Sequence, residues 1–156
     1  MNTTTEKVTV ERVVEIDASP ETVWELLTDE EKGTSWWGRS IRFDPRPGGE
    51  FLVVVSDTHT ARGEFVEVDP PRRLVYTFGW AAGTPFQELV PPGSTLVEID
   101  LQAQGDGTLL RLTHSGLPNA ESALAHSEGW DHYLGRCAVA ASGGDPGPDP
   151  WANPPA

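Results

Sequence analysis

The chain is 156 residues long, which fits one domain able to bury a core without disulfide staples, and 37% of it is hydrophobic, with six Trp, five Phe and two Tyr as large core pieces. Its formal net charge of −13 argues against nucleic acid and anionic membrane surfaces as partners, because both select basic patches. The single Cys137 excludes an internal disulfide framework and a multi-cysteine metal site, and it makes a reducing interior the expected compartment.

No segment approaches the roughly 20 apolar residues of a membrane span. Residues 1–7 are polar and residues 8–16 alternate, so no signal peptide is read and a cytoplasmic location is expected. The charge itself reads as solubility through self-repulsion, or as an acidic face for a basic partner. Lysine is confined to Lys7 and Lys32, and Arg, Gly, Ala and Pro are abundant, a bias associated with GC-rich bacterial genomes.

In chain order, residues 8–17 place Val8, Val10, Val14 and Ile16 on one face, the alternation of a half-buried strand. Ala18-Ser19-Pro20-Glu21 is a helix start, with Ser19 as N-cap and Pro20 in the first turn. The short helix at 20–27 should turn Val23, Trp24 and Leu27 inward. Thr28 to Glu31 reads as a capping box for a second short helix leading to Trp36-Trp37. From 39 to 115 the signals are strands and turns: 41–44, 50–56, 60–68, then Leu74, Tyr76, Phe78 and Trp80 in alternation. Residues 81–92 hold three Pro and read as a long loop of the kind that borders a pocket.

Residues 95–104 and 108–115 around Gly105-Asp106-Gly107 make a hairpin in which Val97, Ile99 and Leu101 face Leu110 and Leu112. Asn119 caps a last helix whose apolar stripe is Ala123, Leu124, Trp130, Tyr133, Leu134, Cys137, Ala138 and Ala141. Ser142-Gly143-Gly144 stops it, so the predicted domain is 1–144. Residues 145–156 form a Pro-rich tail with too little apolar content to pack by itself, Trp151 excepted. The long helix is the one element large enough to cover a curved antiparallel sheet, and the space between them need not be filled.

Several stretches carry a family resemblance. Ala18-Ser19-Pro20-Glu21-Thr22-Val23-Trp24 after the first strand resembles the opening of the START-like, or SRPBCC, superfamily, which has the α+β helix-grip fold of birch-pollen-allergen-like proteins. Trp36-Trp37, Pro47-Gly48-Gly49, residues 67–78, Leu112-Thr113-His114-Ser115-Gly116-Leu117-Pro118, Gly129-Trp130 and Tyr133-Leu134 resemble its branch of homologues of the heat-shock-protein-90 ATPase activator. The resemblance spans roughly 8–142 and implies six to seven curved antiparallel strands wrapped around the C-terminal helix. It also implies a cavity for a small hydrophobic or amphipathic molecule, with no cofactor. A homodimer is compatible with it. The chaperone-binding N-terminal domain of the eukaryotic activator has no counterpart in this sequence, which weakens a chaperone as partner.

The residues expected to line such a cavity are Trp36, Trp37, Phe51, Tyr76, Phe78, Trp80, Ile99, Leu112, His114, Trp130, Tyr133 and Leu134. An aromatic wall favours flat guests. His114 shares the inward face of Leu110 and Leu112; it reads either as a bonded core histidine or as the one directional polar contact of a ligand. His126 and His132 lie six apart on the last helix and diverge, so no metal site is expected. No GxSxG elbow occurs, Cys137 sits on the apolar stripe as an inert thiol, and the glycine-rich stretches do not open a helix after a strand. Acid–base chemistry by inward groups such as His114 or Arg12 remains the enzymatic alternative, of the polyketide-cyclase or hydrolase type. A chaperone-associated interaction module is the other; it would show an exposed apolar patch.

Overall fold

In the structure, a computed structural model describing residues 7–81 and 90–150, the first alternating segment is strand β1, Val8–Ile16, with Val10 and Ile16 buried and Thr9, Glu11, Val13 and Glu15 facing out. Helix α1, Pro20–Thr28, starts where Ser19 Oγ accepts from the Thr22 amide at 3.3 Å and buries Val23, Leu26 and Leu27. Helix α2 is Glu30–Gly33. Its cap is Asp29, whose carboxylate accepts from the Lys32 amide at 2.9 Å, and not Thr28 as the sequence suggested. The Thr28 hydroxyl is already used, donating to the Trp24 carbonyl one turn back at 2.8 Å.

Strands β2 (Ser40–Phe43), β3 (Glu50–Val54), β4 (Thr60–Asp69), β5 (Arg73–Phe78), β6 (Thr95–Gln104) and β7 (Gly107–Leu117) follow. With β1 they form one antiparallel seven-stranded sheet in the order β1-β7-β6-β5-β4-β3-β2. In the β6–β7 hairpin Val97, Ile99 and Leu101 sit opposite His114, Leu112 and Leu110, the pairing the alternation dictates. β7 runs to Leu117, beyond the predicted end, because Leu117 is itself fully buried and pairs with Val8.

Asn119 caps α3, Ala120–Ala141, by accepting from the Ser122 amide at 2.8 Å in a reciprocal capping box. The helix lies on β1 and β7 and touches α1. This is the α+β helix-grip fold. Two details of the helix differ from the predicted stripe. Leu124 is 63% exposed, and the buried face instead takes His126. Arg12 leaves the inner face of β1 to pair with Asp131 of α3 at 2.6 Å, which ties strand to helix at the edge and keeps the guanidinium out of the interior.

α3 covers the β1–β7 side of the sheet, and rings fill the other side. Phe51 stacks on Tyr76 at 4.0 Å and on Phe43 at 5.1 Å, while Phe65 meets Phe51 edge-on at 5.8 Å. Such pairs contribute roughly 0.5–1.5 kcal/mol each beyond area burial. The segment after α3 packs as well, contrary to expectation. Arg136 donates to the carbonyls of Pro146 and Gly147 at 3.2 and 2.9 Å, and Asp149 is buried against the helix. Polar bonds hold it, which apolar content does not register. Trp151 lies outside the described residues, as do residues 82–89 of the predicted loop.

Candidate functional site

Between α3 and the strand ends a cavity of about 350 Å³ remains open. Its wall is Trp37, Phe78, Trp80, Trp130 and Tyr133, with Val55, Ser56 and His59 from the β3–β4 turn, Ala125, His126 and Gly129 from α3, and Pro150 from the C-terminal segment. The volume falls at the small end of ligand pockets, roughly 300–1,000 Å³, and the wall is predominantly apolar. A second depression, among Glu30, Arg42, Asp44 and Glu50 near Ile41 and Phe43, is shallow and polar.

Each ring in the wall is held from behind. Trp37 packs against Trp36 at 5.3 Å, Trp130 at 5.6 Å and Tyr133 at 6.2 Å. Trp36 is itself buried, its indole N–H donating to the Leu26 carbonyl near the end of α1 at 2.9 Å, so it supports Trp37 from outside the cavity. Trp80 lies past the end of β5, bridged to Ala61, and its amide donates to the Val90 carbonyl at 2.8 Å. Gly79 permits that approach: a Cβ there would stand 1.8 Å from the Pro91 carbonyl oxygen.

The polar atoms behind the wall form two closed chains. Trp130 Nε1 donates to His114 Nδ1 at 3.0 Å. An indole nitrogen only donates, so His114 accepts there and carries its proton on Nε2, which donates to Thr95 Oγ1 at 2.8 Å. Thr95 Oγ1 in turn donates to the Phe78 carbonyl at 2.7 Å. In the second chain Trp80 Nε1 donates to His126 Nε2 at 3.0 Å, and His126 Nδ1 donates to the Ser122 carbonyl at 2.7 Å.

Both imidazoles are therefore neutral by hydrogen-bond logic, since a proton added to either would confront an indole N–H. Burial acts in the same direction. It pushes His114 down to about 3, with neighbouring His126 adding to the effect, and it lowers His126 and the turn residue His59. His59 Nδ1 lies 2.8 Å from Thr58 Oγ1 and 3.3 Å from Ser56 Oγ.

At the other end Tyr133 Oη donates to Asp149 Oδ2 at 2.6 Å, while His132 Nε2 bonds Oδ1 at 2.8 Å. Burial first, and then this carboxylate, raise the phenol's pKa. Asp149 thereby carries Pro150 into the cavity wall. The Cys137 thiol is fully buried and pushed up to about 12, which leaves it no nucleophilic character near neutrality.

Of the twelve residues singled out in the sequence, the structure brings Trp37, Phe78, Trp80, Trp130 and Tyr133 together on the cavity wall. Trp36, Phe51, Tyr76, Ile99, Leu112, His114 and Leu134 lie in the buried core around it, and His114 is bonded on both ring nitrogens. Val55, Ser56, His59, Ala125, His126, Gly129 and Pro150 escaped the sequence reading. His126 alone left a signal, its place on the inward face of α3 beside Trp130. Among the described residues no group of three or more His, Cys, Asp or Glu can hold a metal ion, and no helix is long and apolar enough to cross a membrane.

Comparison with known proteins gives one family. The sequence profile of activator of Hsp90 ATPase homologue 1-like proteins matches residues 17–140. An AHSA1-like protein from Rhizobium etli, solved by NMR, is 50% identical over 97% of this chain and 92% of its own, with a TM-score of 0.73. CalU16 from Micromonospora echinospora is 25% identical, covering 87% of this chain and 76% of that one, with a TM-score of 0.63. The Aha1 dimer from Colwellia psychrerythraea shares the fold at a TM-score of 0.73 and 20% identity, over 86% of this chain and 96% of that one. No curated protein matches by sequence.

Proposed function

The chain belongs to the family of activator of Hsp90 ATPase homologue 1-like proteins, and from that premise we propose that it binds a small hydrophobic or aromatic molecule, without catalysis, in the cavity between α3 and the sheet. The observation that carries this reading is an open apolar space of about 350 Å³ beside a core packed with aliphatic and aromatic side chains. An apolar wall leaves dispersion contacts that a flat apolar guest can make, and burying that guest against it is favourable. The wall is built to stay in place, because Trp37, Trp80, Trp130 and Tyr133 are each fixed by a ring contact or a hydrogen bond from behind. A preformed site of this kind spares a ligand the ordering cost.

The enzymatic alternative asks for ionisable groups that can exchange protons with a guest. His114 and His126 have both ring nitrogens committed to internal bonds, which favours holding over chemistry. An interaction module would expose an apolar patch. The large exposed apolar side chains among the described residues, Val13, Val66, Leu124 and Val139, are spread over β1, β4 and two distant turns of α3.

The test is calorimetric titration with 2-naphthol, a flat neutral probe. Wild-type protein is expected to bind with a Kd below about 1 mM. Ala125→Phe, which places a ring into the space from a half-buried helix position, should weaken binding at least about tenfold while leaving Tm within a few degrees. Binding unchanged by that substitution would put the ligand elsewhere and sink the reading.

A further inference from the structure

Building on that cavity reading, we infer that the site selects an uncharged aromatic guest and rejects the anionic counterpart of the same shape. An anion taken out of water needs a cation or uncommitted N–H donors around it. The wall supplies no cation, and its only indole N–H without a protein acceptor among the described residues, that of Trp37, is a single neutral donor, too little to replace the hydration of a carboxylate. None of its twelve residues is Lys or Arg. Residues 82–89 and 151–156, the other neighbours in sequence, contain no Lys, Arg or His.

The indole donors of Trp80 and Trp130 are spent on His126 and His114, and the Tyr133 hydroxyl is spent on Asp149. Of the imidazoles, His126 on the wall and His114 behind it are locked as neutral tautomers by those same indoles, while His59 has its Nδ1 against the Ser56 and Thr58 hydroxyls and is held below its ordinary pKa by burial. Arg136, close by on α3, is turned away to the carbonyls of Trp36, Pro146 and Gly147. An anionic group left at the mouth fares no better. Exposed Glu128 precedes the lining residue Gly129, on a chain of net charge −13. Arg39, near the turn, is already paired with Asp57.

The experiment titrates the full chain at neutral pH with an isosteric pair, 2-naphthamide and 2-naphthoate, by calorimetry. The amide is expected to bind, with the carboxylate at least about tenfold weaker. Ala125→Lys, which puts an ammonium into the wall, should raise naphthoate affinity relative to naphthamide by at least about fivefold. Equal or tighter binding of naphthoate to the wild type overturns the charge selection and leaves the cavity reading standing. Failure of both probes overturns the cavity reading as well. An unchanged preference in the lysine variant means that discrimination arises outside this wall, and it likewise overturns the inference.

Discussion

At the scale of single residues His114 decides how the interior is built. It is fully buried, yet both ring nitrogens have partners, so its imidazole organises Trp130, Thr95 and Phe78 at no cost in unsatisfied polar atoms. Its protonation is strongly opposed in the native state and ordinary in the unfolded chain. The unfolded chain therefore binds the extra proton between pH about 6.5 and about 3. Stability is full above that window and falls as the pH is lowered through it, by up to about 1.4 kcal/mol per pH unit for this group, and His126 acts in the same direction. Urea denaturation is expected to show a loss of about 2 kcal/mol or more between pH 7 and pH 5. His114→Gln should be less stable at pH 7 by about 1–3 kcal/mol and less sensitive to the same change of pH. A wild-type protein equally stable at both values would contradict the neutral buried pair.

At the scale of elements, strand pairing and the caps of α1 and α3 were legible, the cap of α2 was placed one residue early, and long-range polar partners were not legible. The β6–β7 hairpin could be paired residue by residue because a period of two leaves one register that buries Val97, Ile99 and Leu101 together. On α3 the same logic erred at one turn, ranking Leu124 as inward on hydropathy when the buried place goes to His126. That imidazole is acceptable inside only because Trp80 and the Ser122 carbonyl satisfy it, and Trp80 lies 46 residues away.

Asp149 is the stronger case. A carboxylate in a Pro-rich segment gives no hint that a tyrosine and a histidine sixteen and seventeen residues earlier will bury it. That bond fastens the segment that brings Pro150 to the cavity wall. Asp149→Ala should destabilise the fold by about 1–3 kcal/mol, and a double-mutant cycle with Tyr133→Phe should show coupling of at least about 0.5 kcal/mol. Simple additivity would mean that the two side chains meet without contributing.

At the scale of the whole molecule, a curved sheet and a single long helix meet over only part of their area. α3 sits over β1 and β7, aromatic rings fill the space beneath β3–β5, and the gap between these two packings is the cavity. The sequence made the container legible through element order and its family motifs. How much of it stays open was hidden, because that depends on which rings turn inward and which stack on one another. Seven of the twelve side chains expected at the wall belong to the packing that supports it.

The most direct test of that division is to follow the indole N–H and backbone amide resonances of the labelled protein by NMR during titration with 2-naphthol. Shifts are expected to concentrate on the indoles of Trp37, Trp80 and Trp130 and the amides of Ala125, His126 and Gly129, with exposed Val13 and Val66 unmoved. Unchanged indole resonances at saturating probe, or shifts confined to such exposed residues, would contradict that division.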